Sequence, residues 1–386
     1  MAYRFIVLAD LHWGAMDSTQ TYQHLSMVLN FIRRAPPDFV VIAGDYFDYR
    51  IQLNSKTTLL AIKWFDELMK VCQESGVKKV RMFKGTAEHD NDQMEVFRPA
   101  YEDDSEFFRL YTETTAEQLF EDLRVVYCPD EPINLEEYWD LRWDRFMPNP
   151  DIGFFHGNFD NVLPGIEYQR IQEHHLPTMI YEYEHCARLI KGPLISGHWH
   201  IGQTQKSLYY VGSYDRWAFG EEESKGFIYG EYNPEDHRYF IHRVINPMAR
   251  IYKTLVVSDE ETVSPGEFAI LAEQIQKELT QDPDMKLKIT YLVSTANAEA
   301  WDNFNIFQRQ FANHRAVKFD VKNLIRREEQ RKKKQQVQLS AEEYKYVYNN
   351  DLQAIPSIIQ RFILEKRHES LPLETIEKYV AKYLNT

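Results

Sequence analysis

Hydrophobic residues along this chain gather in short unbroken runs, and each run ends abruptly in a polar island. Residues 3–9 (YRFIVLA), 39–43 (FVVIA) and 80–83 (VRMF) are apolar apart from Arg4 and Arg81, which predicts buried strands. Between them, residues 19–34 repeat Tyr22, Leu25, Val28, Leu29 and Ile32 at helical spacing, and Pro36-Pro37 stops the pattern. Residues 55–72 are helical in the same way. Strand, helix, strand, helix, strand predicts a layered α/β domain. Further strands are expected at 123–127, 151–155, 192–195 and 207–211, with a closing pair at 226–232 and 238–244. The rest of 97–150 reads as acidic helical stretches.

The pattern changes after Pro247. Residues 250–257, 266–279, 286–293, 297–313 and 316–321 predict a βαβαβ unit without polar islands. The run 326–336 (RREEQRKKKQQ) is of linker type. Two helices with apolar faces follow, at 351–367 and 373–384, and a pair that short needs a partner surface. The expected organisation is one large domain over 1–247, a small α+β domain over 248–325, a charged linker over 326–350 and a helical segment over 351–386.

Composition narrows the class. Of 386 residues, 44% are hydrophobic and 14% aromatic, which is globular. No apolar run reaches the roughly 18 residues of a membrane span. The start, Met1-Ala2-Tyr3-Arg4, leads straight into a strand-like run without the apolar core of a signal peptide. Cys72, Cys128 and Cys186 are widely spaced and odd in number. They argue against a disulfide framework or thiolate zinc site and for a reducing, cytoplasmic setting. With 45 basic against 59 acidic side chains the net charge is −14, which taken alone argues against a nonspecific nucleic-acid binder and implies that any tight hold on DNA would need a partner.

The chemistry lies in five islands: Asp10-Leu11-His12, Gly44-Asp45-Tyr46-Phe47-Asp48, Glu88-His89-Asp90, Phe155-His156-Gly157 and Gly197-His198-Trp199-His200. Each follows a predicted strand, where open α/β sheets place their sites. A converging set of carboxylates and imidazoles suits two divalent metals held against a phosphate. Alternation along a strand would send Asp10 and His12 to one side, and His198 and His200 likewise. Asp45, after a glycine that lets its loop approach closely, suits a carboxylate shared by two cations. Asp48 either takes part in the chemistry, orients a ligand from behind, or caps the next turn.

These islands resemble the motif series of the calcineurin-like metallophosphoesterase superfamily: DxH, GDxxD, GNHD, a lone His, and GHxH. Residues 210–226, including Tyr210-Val211-Gly212-Ser213-Tyr214-Asp215-Arg216-Trp217-Ala218-Phe219-Gly220-Glu221-Glu222 and Lys225-Gly226, are similar to a stretch of the SbcD-type double-strand-break repair nucleases. The compact length and the spelling of the third motif are reminiscent of bacteriophage versions, whose setting would be the host cytoplasm. The resemblance implies a layered β-sandwich phosphoesterase domain flanked by helices, a capping domain that binds DNA, and C-terminal helices docking on an SMC-like ATPase of the SbcC type. It also implies a homodimer.

By the same resemblance, Asp10, His12, Asp45 and His200 would hold one metal. Asp45, His156, His198 and a residue of the third motif would hold the other. The third motif departs from Gly-Asn-His-Asp: this chain reads Gly85-Thr86-Ala87-Glu88-His89-Asp90. Glu88 takes the matching place before His89 and offers a carboxylate oxygen, with Thr86 as the alternative. His89 would stabilise the phosphorane-like charge or protonate the leaving oxygen. The donor set favours two Mn²⁺, with Mg²⁺, Fe or Zn²⁺ as competitors. The expected function is a 3′→5′ double-strand exonuclease and endonuclease. The alternatives are a stand-alone phosphodiesterase or phosphatase, and a catalytically impaired DNA-end scaffold.

Overall fold

The computed structural model of the chain describes residues 2–52, 54–102, 106–131, 133–161, 179–261, 264–295 and 297–324. The chain divides into two compact units, Met1–Lys253 with Asp284–Lys286, and Thr254–Pro283 with Leu287 onward. The charged run 326–336 and the helices expected at 351–367 and 373–384 lie outside the described residues.

The unbroken apolar runs become strands between two layers. β1 (Tyr3–Leu8), β2 (Phe39–Ala43), β3 (Lys79–Phe83) and β4 (Phe108–Tyr111) pair in parallel. β13 (Gly226–Tyr232) lies antiparallel to β1, and β14 (Tyr239–Ile245) antiparallel to β13. The sheet order is β14-β13-β1-β2-β3-β4. A second sheet is built of β5 (Thr115–Phe120), β6 (Leu123–Cys128), β7 (Ile152–His156), β10 (Leu194–Gly197), β11 (Thr204–Gln205) and β12 (Leu208–Tyr210). Its order is β11-β12-β10-β7-β6-β5. A short parallel pair, β8 (Asn158–Phe159) and β9 (Ile180–Tyr181), stands beside it.

Alternation decides what each strand buries. In β1 and β2, Ile6, Leu8, Val40 and Ile42 pack with Leu25, Val28, Ile32, Trp64, Phe65 and Leu68 of the helices α1 (Ser18–Arg34) and α2 (Lys56–Glu74). Their neighbours Phe5, Val7, Phe39 and Val41 pack with Val125, Tyr127, Ile152, Phe154 and Ile195 of the second sheet. Asp17 and Ser55 start the two helices by accepting the N–H of Gln20 and Thr58. The unit is therefore a mixed α/β sandwich of two sheets with helices on its faces.

The acidic helical stretches expected within 97–150 are in part strands, β4 and β5. Charge misleads there because Glu117 of β5 turns inward and accepts from Nε and Nη2 of the buried Arg81, at 2.8 and 2.5 Å. A paired charge can occupy an interior position that periodicity reserves for apolar residues.

β15 (Tyr252–Ser258), β16 (Lys286–Val293) and β17 (Val317–Asn323), which belong to the second unit from Thr254 and Leu287 onward, form a sheet in that order, with β16 and β17 parallel. The helices Pro265–Gln281 and Ala298–Gln310 connect them. Tyr291 stacks on Phe304 with ring centres 4.0 Å apart, and Phe319 packs against Phe304 and Phe307. The register pairs Lys288 with Lys318 and Leu292 with Lys322, on the side away from those aromatic contacts. No described helix is long and apolar enough to cross a membrane.

Candidate metal centre

The two parallel strands at the centre of the first sheet extend their pairing past their own ends. Asp10 N–H donates to Gly44 O at 3.2 Å, His12 N–H to Asp45 O at 3.0 Å, and Trp13 N–H to Tyr46 O at 2.9 Å. The loops bearing Asp10, His12 and Asp45 are thus tied together rung by rung. Backbone conformation then aims the side chains. Asp10, His12, Asp45 and His198 all sit in the left-handed region, with φ of 51°, 45°, 48° and 78°. Each such residue costs roughly 1–3 kcal/mol, a strain that collects at functional sites. Strand alternation is therefore not what brings Asp10 and His12 to one side, because β1 ends at Leu8.

The structure brings the donors together in overlapping groups: Asp10, His12 and His200; Asp45, His156 and His198; and His12, Asp48 and His89. His198 and His200, two residues apart, point into different groups. His12 Nε2 and His200 Nε2 are 2.9 Å apart. Asp45 Oδ2 lies 3.2 Å from His156 Nε2 and 3.9 Å from His12 Nε2, so one oxygen faces both sides. Asp10 Oδ1 accepts the N–H of His198 at 2.9 Å, while its buried Oδ2 has no hydrogen-bond partner. A buried carboxylate oxygen left over in this way fits a cation. His12 Nδ1 stands 3.1 Å from Asp48 Oδ1, which places Asp48 behind His12.

Glu88 joins none of these groups. It is exposed, as is Ala87, and together they form the outer side of a turn closed by His89 N–H and Asp90 N–H on Thr86 O. The extra residues of the third motif loop into solvent, and the positions flanking them keep the interior contacts. Thr86, directly after Gly85, donates its N–H and hydroxyl to Asp45 Oδ1 at 2.7 and 2.9 Å. Asp90 accepts from Gly85 N–H at 2.7 Å and Phe47 N–H at 3.1 Å, stapling the second and third islands. The role of Asp90 is not legible from the island alone, since one buried carboxylate looks like any other.

Electrostatics follows from crowding. Burial works against a charged His156, but the Asp45 and Asp10 carboxylates override it and raise this imidazole to about 10. Burial and then the neighbouring His156 charge press His198 down to about 3. Burial opposes ionisation of Asp45, yet His156 and His12 hold its carboxyl well below the usual range. Burial and the Asp45 charge push Asp90 up to about 7. The field that favours positive charge on His156 favours any cation at that place.

Space is equally tight. A Cβ on Gly44, at φ +77°, would lie 2.3 Å from His156 Nδ1 and 2.7 Å from Gly85 Cα. Gly44→Ala is expected to destabilise the fold by roughly 2–6 kcal/mol, from left-handed strain and overpacking together. A calorimetric unfolding midpoint equal to wild type would refute that packing argument.

A β-sandwich carrying paired carboxylate and imidazole groups at its strand ends defines a candidate metal centre, and membership of a calcineurin-like family makes such a protein a metal-dependent phosphoester hydrolase. Residues 3–235 match the calcineurin-like phosphoesterase family, and the chain belongs to that family. A search of curated proteins found no match.

Proposed function

We propose that this phosphoesterase is a DNA nuclease that processes double-strand ends as a subunit working with an SMC-like ATPase. The observation that carries the reading is the side of β16 and β17 that bears Lys288, Lys318 and Lys322, three lysines with the acid Asp320 among them on one face. In a chain of net charge −14, lysines gathered on one surface supply the local attraction that a phosphate backbone needs. The likeness of residues 210–226 to the SbcD-type stretch supports the same reading. The apolar periodicity of 351–386 supplies a docking element for the ATPase, and a homodimer accords with that resemblance.

The donor groups fit two divalent cations, with Asp10, His12 and His200 on one side, His156 and His198 on the other, and Asp45 between. Oxygen and nitrogen donors without sulfur favour Mn²⁺, with Mg²⁺, Fe or Zn²⁺ as competitors. When bound, such cations polarise a phosphodiester and supply a nucleophilic water at neutral pH. The residues of the chain do the rest. Thr86 fixes one oxygen of Asp45 so that the other faces the donors. His89 directs Nδ1–H at the Asp48 carbonyl, which turns Nε2 toward the donors; from there only the imidazolium form can give a proton to the leaving oxygen.

The test is degradation of linear duplex DNA and of a nitrophenyl phosphodiester, each with Mn²⁺ or EDTA. DNA cleavage restored by Mn²⁺ is expected. Turnover of the small ester alone would assign a stand-alone phosphodiesterase, and DNA binding without cleavage a scaffold. Replacing Lys288, Lys318 and Lys322 by glutamine is expected to weaken duplex binding. It should also flatten the dependence of log affinity on log salt by about 0.9 for each phosphate that is no longer neutralised. An unchanged salt slope would remove this face from DNA binding.

A further inference from the structure

The stretch from Gly212 to Gly226 contributes no donor to the groups above, yet it is built against one of them. Asp215, 1% exposed, accepts from Arg250 Nη1 at 2.6 Å and from the N–H groups of Arg216 and Arg250 at 2.7 Å. Arg216 spreads its guanidinium over main-chain oxygens, taking Glu221 O at 2.7 Å and Glu223 O at 2.8 Å. The loop bearing Glu221 is therefore held by a rigid fork. Glu221 Oε1 lies 2.9 Å from His200 Nδ1. Its Oε2 accepts from Trp217 N–H at 3.2 Å and stands 3.1 Å from Lys225 Nζ. Lys225, 1% exposed, also donates to His200 O at 2.9 Å.

We propose that Glu221 is a positioning residue for His200, with Lys225 holding both the Glu221 carboxylate and the His200 main chain. A neutral imidazole has one N–H. With that proton on Nδ1 and directed at Glu221, the Nε2 lone pair faces Asp10 and His12. The imidazole of His156 is held in the same sense by a neutral group, the carbonyl of Ala43 at 2.8 Å from Nδ1. His200 is thus backed by an anion and His156 by a dipole. Loss of Glu221 weakens the hold on the cation of the Asp10 side selectively. This inference rests on metal occupancy of the donor groups and not on the DNA reading.

The experiment is equilibrium dialysis of the full chain against Mn²⁺, read as metal content without substrate. For Glu221→Ala, one of two equivalents is expected to bind about 10- to 100-fold more weakly, with the other unchanged. Glu221→Gln keeps an oxygen for the Nδ1 proton and should fall less. If the alanine variant does not fold, Glu221→Asp, one methylene short of His200, takes its place. Two equivalents of wild-type affinity in a folded variant would overturn the proposal. So would equal weakening of both equivalents with a parallel fall in the thermal midpoint of the EDTA-treated protein, because a structural role does that. A wild-type chain that takes up no metal overturns both this proposal and the metal reading beneath it. Failure to cleave DNA leaves both standing.

Discussion

Replacing Asp45 by asparagine is expected to lower phosphodiester turnover by about three orders of magnitude, or about 4 kcal/mol of transition-state stabilisation, without unfolding the chain. Asp45 is 1% exposed and divides its work between two oxygens. Oδ1 takes both donors of Thr86, and an amide oxygen can keep those bonds. Oδ2 faces His156 and His12, and an amide nitrogen there would turn a donor toward imidazoles and any cation between them. His156, raised to about 10 chiefly by this carboxylate against the cost of burial, can shed its proton when the charge is removed. The fold is then spared an unpaired buried cation. Turnover of a nitrophenyl phosphodiester and bound metal, measured on one preparation, check the expectation. Turnover within tenfold of wild type would remove Asp45 from the centre.

His89→Ala is expected to separate chemistry from metal binding. His89 is half-buried, its ring standing edge-on to His12 with centres 4.7 Å apart. It belongs to the group with His12 and Asp48, not to either group that contains Asp10 or Asp45. In the role proposed for it, its loss removes a proton donor and a hydrogen-bonding group from the reacting phosphate. A positioned acid or base contributes about 10²- to 10⁴-fold, so kcat should fall in that range while metal content and KM stay near wild type. Unchanged kcat would take His89 out of the mechanism. Loss of metal would make it a ligand instead.

Much of the site is legible in the sequence because its residues follow strands that are easy to read. β2 is apolar at all five positions and fully buried, so its end and the island after it are marked by composition alone. Asp10, His12, Asp45, His156, His198 and His200 stand in the sequence where hydrophobic runs stop, and the fold gathers them. The third island misleads for a local reason. Glu88 precedes His89 and carries the right chemistry, but a turn closed on Thr86 carries it outward. Only the hydrogen bonds of Thr86 and Asp90 show which positions remain inside. β4 and β5 escape a reading by periodicity because Glu117 looks like surface charge until Arg81 is seen beneath it.

The sequence by itself determined a layered α/β domain and the neighbourhood of the donors, and its motifs carried the resemblance that implied the family and its β-sandwich. Apolar runs buried on two faces and helices with one apolar stripe leave few ways to pack, and polar residues at strand ends must then share one edge. Tertiary structure alone decided how the donors divide. Left-handed backbone at Asp10, His12, Asp45 and His198 sets directions that strand alternation does not encode, and it parts His198 from His200. It also decided what the stretch ending at Gly226 stands against. Glu221 and His200 are separated along the chain by turns and strands, and their 2.9 Å approach exists only once Arg216 and Lys225 have folded that loop against the site.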